Sequence, residues 1–173
     1  MDKRLIIVGA GASGKDTFKN YLREQGYPAD VSYTTRPPRK GEAEGRDYHF
    51  ITDEEFYKLE SEGFFYESVT FNGWKYGTSN ESWKEKKVCI KTPSGITQLS
   101  YKDIKESIIV WLDIHEEYRL RRLMGRGDAD TVERRILSDR KDFFNFNNFD
   151  IRIINPNFDP DAVLELIKLY DKI

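Results

Sequence analysis

Nine residues near the start of the chain, Gly9-Ala10-Gly11-Ala12-Ser13-Gly14-Lys15-Asp16-Thr17, stand between the apolar run Leu5-Ile6-Ile7-Val8 and a stretch whose Phe18, Tyr21 and Leu22 share one helical face. G-x-x-x-x-G-K spacing, entered from a buried strand and left through a helix, is the context a phosphate-binding loop requires. The glycines permit backbone conformations that turn several N–H groups onto one anion. The following helix adds the positive end of its dipole, and Lys15 supplies a mobile point charge for the β and γ phosphates. A glycine-rich turn with an incidental lysine is the plainer alternative, and the flanking strand and helix argue against it. The hydroxyl residue usual after such a lysine is replaced by Asp16. A carboxylate there is either a magnesium ligand, direct or through water, or a first-turn acid serving the helix dipole. Thr17 remains available for a phosphate oxygen.

Strand and helix signals alternate through the rest of the 173 residues. Strands are expected at 5–8, 30–34, 48–51, 64–71, 88–90, 108–112 and 151–154. Helices are expected at 15–24, where Gly26 ends the run, from a Thr52 or Asp53 cap through Glu60, at 116–124, at 131–144, and from an Asp159 cap to Tyr170. Such alternation with short connections implies a parallel sheet wrapped by helices. The stretch 36–84 breaks this rhythm and reads as an inserted subdomain. Trp111 and the cluster Phe143, Phe144, Phe146 and Phe149 are expected in the core, and Cys89 as inert packing.

Composition excludes several classes. The 28 Lys and Arg against 30 Asp and Glu leave a formal charge of -2, so bulk charge offers nothing for nucleic acid or a membrane surface. One cysteine allows no intramolecular disulfide and no Cys-based zinc site, and two histidines cannot make a His-rich one. No apolar stretch reaches membrane-spanning length, and the N-terminus shows no signal-cleavage pattern, so a cytoplasmic protein is expected.

The second informative stretch is Thr34-Thr35-Arg36-Pro37-Pro38-Arg39-Lys40-Gly41-Glu42-Ala43-Glu44-Gly45-Arg46-Asp47-Tyr48. Arg36 and Arg39, with Ser32 and Tyr48 nearby, make an anion clamp, because guanidinium forks suit a terminal phosphate dianion. A solvated basic loop is the common alternative, but two prolines stiffen this one. The stretch resembles the substrate signature of guanylate kinases, T-T-R-x-P-R-x-G-E-x-x-G-x-D-Y. Glu67, Gly73 and Tyr76-Gly77-Thr78 fall where that family reads its monophosphate and guanine. Arg122 to Gly127 looks like the start of its lid, Glu133-Arg134-Arg135 like the lid's end, and Asn155 like the strand end beside adenine. The resemblance covers almost the whole chain.

That resemblance implies one domain over 1–173 of the P-loop NTPase type. It has a three-layer α/β/α core (1–34, 85–125 and 136–173), a monophosphate-binding insert at 35–84 and a short lid at 126–135. It implies transfer of the γ-phosphoryl of ATP to GMP or dGMP with Mg2+, no nucleic-acid or membrane partner, and a monomer or homodimer. Lys15, Arg122, Arg126 and Arg135 would act on the transferring group. Residues 9–17 and Asn155 would hold ATP, with Asp16 on the metal. Ser32, Arg36, Arg39, Tyr48 and Tyr76 would hold the GMP phosphate, Glu42 would belong to the same GMP site, and Glu67 and Thr78 would read guanine. A carboxylate at Glu67 accepts from guanine N1–H and N2–H₂ together, a donor pair adenine lacks.

One departure stands out. Where the family has an acidic pair touching guanine and the magnesium waters, this chain has Lys91-Thr92-Pro93-Ser94-Gly95. Thr92 and Ser94 are then the residues expected to hydrogen-bond the base or the metal's waters, with Asp16 expected to restore the carboxylate lost from this loop. Two other readings remain open at this point: a related phosphokinase of another monophosphate or a phosphorylated sugar, and a non-catalytic guanylate-kinase-like binding module.

Overall fold

The computed structural model describes residues 3–124 and 132–172. Two compact units emerge, one of the residues up to Ala29 together with those from Lys87 onward, the other of Asp30–Lys86.

The larger unit is built on a four-stranded parallel sheet in the order β6-β1-β7-β8, formed by β1 (Arg4–Gly9), β6 (Val88–Lys91), β7 (Ser107–Leu112) and β8 (Ile151–Ile153). β1 runs between β6 and β7, with Ile6 opposite both Cys89 and Ile109. Side chains alternate across a strand, and Leu5, Ile6, Ile7 and Val8 are all fully buried, so both faces of the sheet are covered. On one face Leu5 and Ile7 pack against Phe18 and Leu22 of α1 (Lys15–Glu24) and Val163, Leu164 and Ile167 of α8 (Pro160–Tyr170). Each such side chain contributes about 1.5–3 kcal/mol of burial. The unit also contains α4 (Pro93–Ile96), α5 (Tyr101–Lys105), α6 (Glu116–Met124) and α7 (Val132–Phe143). This is the expected layered α/β arrangement.

Trp111 stacks on Phe143 at a centroid distance of 6.1 Å and meets Phe146 and Phe149 edge-on or tilted, so that part of the aromatic cluster packs as expected. Phe144 does not, being 80% exposed, because α7 ends at Phe143 and the next side chain turns outward. Cys89 is buried and is in no disulfide.

The smaller unit holds a second sheet in the order β3-β2-β5-β4, made of β2 (Tyr33–Thr34), β3 (His49–Phe50), β4 (Phe65–Phe71) and β5 (Trp74–Ser79), with α2 (Asp53–Ser61) and α3 (Asn80–Glu85). β2 pairs with β3 in parallel and with β5 antiparallel, so residues 30–34 belong here and not to the main sheet. Thr52 caps α2 with a full capping box through Glu55. β5 is a strand the sequence reading does not place. It follows a tight Asn72-Gly73 hairpin turn in which both residues have positive φ (52° and 80°). Gly77 interrupts its apolar pattern for a steric reason, since a Cβ there would lie 2.7 Å from the Phe65 ring. No helix among the described residues is long and apolar enough to cross a membrane.

Candidate active site

In the larger unit, β1 hands directly to the phosphate-binding loop and the loop to α1. Gly9 must be glycine, because a Cβ would fall 2.5 Å from Ser13 Oγ and 2.9 Å from the Leu112 carbonyl. The loop then turns through left-handed backbone at Ala12 (φ 61°) and Gly14 (φ 101°). Gly14 occupies the N-cap of α1 and supplies no side-chain hydrogen bond. By contrast, α2, α3, α4, α5 and α8 are capped by Thr52, Ser79, Thr92, Ser100 and Asp159. The cap of α1 thus offers its first N–H groups no side-chain acceptor, the arrangement of a helix start suited to an anion. Lys15 Nζ donates to the Ala10 carbonyl at 2.9 Å. Asp16 and Thr17 are exposed on the first turn of the helix. The Ser13 hydroxyl is buried and has no hydrogen-bond partner among the described residues.

Two residues that sequence reasoning missed brace this loop from behind. Asp139 of α7 accepts the Gly11 N–H with both carboxylate oxygens, at 3.2 and 3.0 Å. Arg119 of α6 donates to Asp139 at 2.7 Å, to the Gly11 carbonyl at 3.2 Å and to the Ile114 carbonyl at 3.0 Å. Both side chains are buried, at 7% and 3% relative exposure for Arg119 and Asp139. The available signal was a charge on the inward stripe of each helix, beside Leu123 in α6 and beside Ile136 in α7.

Arg122 donates to the carbonyls of Ala12 (3.1 Å) and Pro156 (2.6 Å). It borders a cleft of about 220 Å³ that Ala12, Gly14, Thr17, Pro156 and Phe158 help to line. Asn155 is exposed, and its Oδ1 accepts the Asn157 N–H at 2.9 Å. Arg135 is buried on α7. Arg126 and most of the expected lid lie outside the described residues. Thr92 caps α4 through the Gly95 N–H, and its hydroxyl lies 2.9 Å from Ser94 Oγ.

The smaller unit gathers the other predicted side chains. Arg36 is buried, with Nη2 2.9 Å from both oxygens of Glu42 and Nη1 2.7 Å from the Pro37 carbonyl. Glu42 also accepts the Arg39 N–H at 2.7 Å, so it orients both arginines. The Arg36 guanidinium lies 5.5 Å from the centre of the Tyr48 ring, and Tyr48 and Tyr76 are 6.1 Å apart. Burial works against the Arg36 charge, but Tyr76 and Glu42 more than compensate and hold its pKa above the ordinary value. Burial pushes the Tyr76 hydroxyl up despite the pull of Arg36 and Arg39, so it stays protonated as a donor near neutral pH. The Ser32 hydroxyl donates to buried Asp30. Glu67 and Thr78 face each other across β4 and β5 and are both buried, next to a bulge between Phe65 and Glu67.

Among the described residues, no group of three or more His, Cys, Asp or Glu is placed to hold a metal ion. Magnesium that arrives on nucleotide phosphates keeps several waters and takes only one or two protein carboxylates. The single exposed carboxylate of Asp16, next to Lys15, fits a metal of that kind.

A family model described as guanylate kinase matches residues 1–171. The guanylate kinase of Wolinella succinogenes is 31% identical over 163 residues, 87% of this chain and 75% of the relative. That of a Nostoc species is 31% identical over 178 residues, covering 96% and 88%. The crystal structure of guanylate kinase from Anaplasma phagocytophilum superposes with a TM-score of 0.72 over 98% of this chain and 85% of that one, at 23% identity, a likeness of fold.

Proposed function

The chain belongs to the guanylate kinase family, and we propose that it transfers the γ-phosphoryl of ATP to GMP or dGMP, giving ADP and GDP or dGDP. The larger unit takes ATP and the smaller unit takes the monophosphate. The observation that carries this reading is the pairing of an uncapped helix start behind Lys15 with a separate cluster of Arg36, Arg39, Tyr48 and Tyr76.

Phosphoryl transfer asks the protein for in-line positioning and charge neutralisation more than for a base. Lys15 would exchange the Ala10 carbonyl for phosphate oxygens, a stronger charge-assisted partner. Arg122, which borders the cleft beside the loop, would act on the transferring group together with Arg126 and Arg135. In the smaller unit Arg39 and the two phenols would hold the GMP phosphate, with Arg36 held in place by Glu42. Glu67 would accept from the guanine N1–H and N2–H₂ edge while Thr78 supplies a hydroxyl, and Thr92 and Ser94 would add hydrogen bonds to the base. Asp16 would help to hold a magnesium ion carried on the phosphates, which would supply charge neutralisation there. A cytoplasmic setting suits this reading.

An ADP-release assay over GMP, dGMP, AMP, CMP and UMP tests it. Turnover with the two guanine nucleotides well above the others is expected. Equal rates across the panel, or none with GMP, would remove the assignment.

A further inference from the structure

Three successive carbonyls of the phosphate loop each point at a different cation: Ala10 at Lys15, Gly11 at Arg119 and Ala12 at Arg122. A trans peptide directs its C=O and the following N–H to opposite sides. Pinning the Gly11 carbonyl therefore sets where the Ala12 N–H points. Lys15 and Arg122 belong to the proposed nucleotide machinery. Arg119 and Asp139 do not, being buried behind the loop.

The Arg119–Asp139 pair needs an explanation beyond stability. A buried ion pair carries a desolvation cost that its attraction often fails to exceed, and well-packed apolar side chains of similar volume commonly serve as well. An apolar pair could not hydrogen-bond the loop. This ion pair grips one residue at both backbone groups: Asp139 takes the Gly11 N–H and Arg119 gives to the Gly11 carbonyl. The approach is close, since a Cβ on Gly11 would lie 3.4 Å from Asp139 Oδ2. Arg119 is anchored in turn to the Ile114 carbonyl, just past the end of β7. The loop is thus tied to the frame of the sheet through one guanidinium.

We propose that Arg119 and Asp139 are positioning residues for ATP, holding Gly11 so that the loop amides already converge before the triphosphate arrives. The inference rests on the reading of this loop as the ATP site. Neither residue touches nucleotide. The binding cost they remove is that of ordering the loop, so their loss weakens ATP while leaving GMP unaffected.

The test compares wild type with Arg119→Leu/Asp139→Ala, which removes both charges together, and with Asp139→Asn, which keeps shape but not charge. ATP and GMP affinities are measured separately by calorimetry, beside melting curves. Wild type that fails to bind ATP would sink the ATP-site reading itself. With wild-type binding established, the double variant is expected to melt close to wild type yet bind ATP about tenfold more weakly, the scale of one charge-assisted hydrogen bond. Asp139→Asn is expected to show a smaller loss in the same direction, with GMP affinity unchanged in both. ATP affinity within about twofold of wild type in the folded variants, or equal weakening of ATP and GMP, would overturn the proposal.

Discussion

Both carboxylate oxygens of Glu42 lie 2.9 Å from a single nitrogen of Arg36, Nη2. The acid is therefore spent on orienting the clamp. With the Arg39 N–H held by the same carboxylate, one side chain governs the geometry of two arginines. Glu42→Gln keeps the size and loses the charge. It is expected to raise KM for GMP about tenfold, in line with loss of a charge-assisted bond, and to leave KM for ATP unchanged. Steady-state kinetics with each substrate varied separately checks this.

Arg39 is half-buried beside Glu42, and the proposal gives it a direct contact with the GMP phosphate. Arg39→Ala should cost about 1.5–3 kcal/mol of GMP binding and leave ATP binding nearly intact. Calorimetric titrations with each nucleotide distinguish this from a general loss of fold, in which both affinities would fall together.

Lys15→Ala removes the mobile charge at the end of the loop. Turnover should vanish to background while GMP still binds with wild-type affinity, because the side chains proposed for the GMP phosphate lie in the other unit. Turnover at the wild-type rate would take Lys15 out of the mechanism.

Asp16 separates two roles by a metal titration. If it touches magnesium, Asp16→Asn raises the magnesium concentration for half-maximal rate, and excess magnesium restores part of the activity. If it serves only the helix dipole, the change costs a few tenths to about 1 kcal/mol in a melt and leaves the magnesium curve alone.

Asp142 lies on α7 with its Oδ2 buried and without a hydrogen-bond partner among the described residues. Burial pushes its carboxyl above the ordinary value of 3.8, and the neighbouring Asp139 charge adds to this. A raised folded pKa means that the fold prefers the protonated form. That benefit is complete below pH 3.8 and is lost as pH rises through the folded value. Asp142→Asn should therefore raise the melting temperature at pH 7 and give no gain below the ordinary carboxyl value. Melts at the two pH values decide it.

Legibility divided along physical lines. The main strands could be read because Leu5 to Val8 and Ile108 to Leu112 are continuous apolar runs, the mark of strands buried on both faces. α1 could be read because its apolar spacing, its Gly14 start and Gly26 past its end agree. β5 was legible in part: Asn72-Gly73 between Phe71 and Trp74 is a strong hairpin signal, but Gly77 reads as a breaker until the Phe65 ring is seen above it. Ser32 carries a hydroxyl suited to phosphate, and only the folded unit reveals Asp30 beside it. Arg119 and Asp139 were the least visible, because two opposite charges on separate helices look solvated until packing buries them together.

The open start of α1 has a consequence for the life of the protein as well as for its chemistry. A helix whose cap residue offers no side-chain hydrogen bond is incomplete, and on the proposed reading a bound triphosphate finishes it. Part of the nucleotide's binding energy is then folding energy. A ligand at a hundred times its dissociation constant adds about 2.7 kcal/mol to the native state. On the proposed reading, chains short of nucleotide are expected to unfold more often than chains that hold it, which melting curves with and without ATP check.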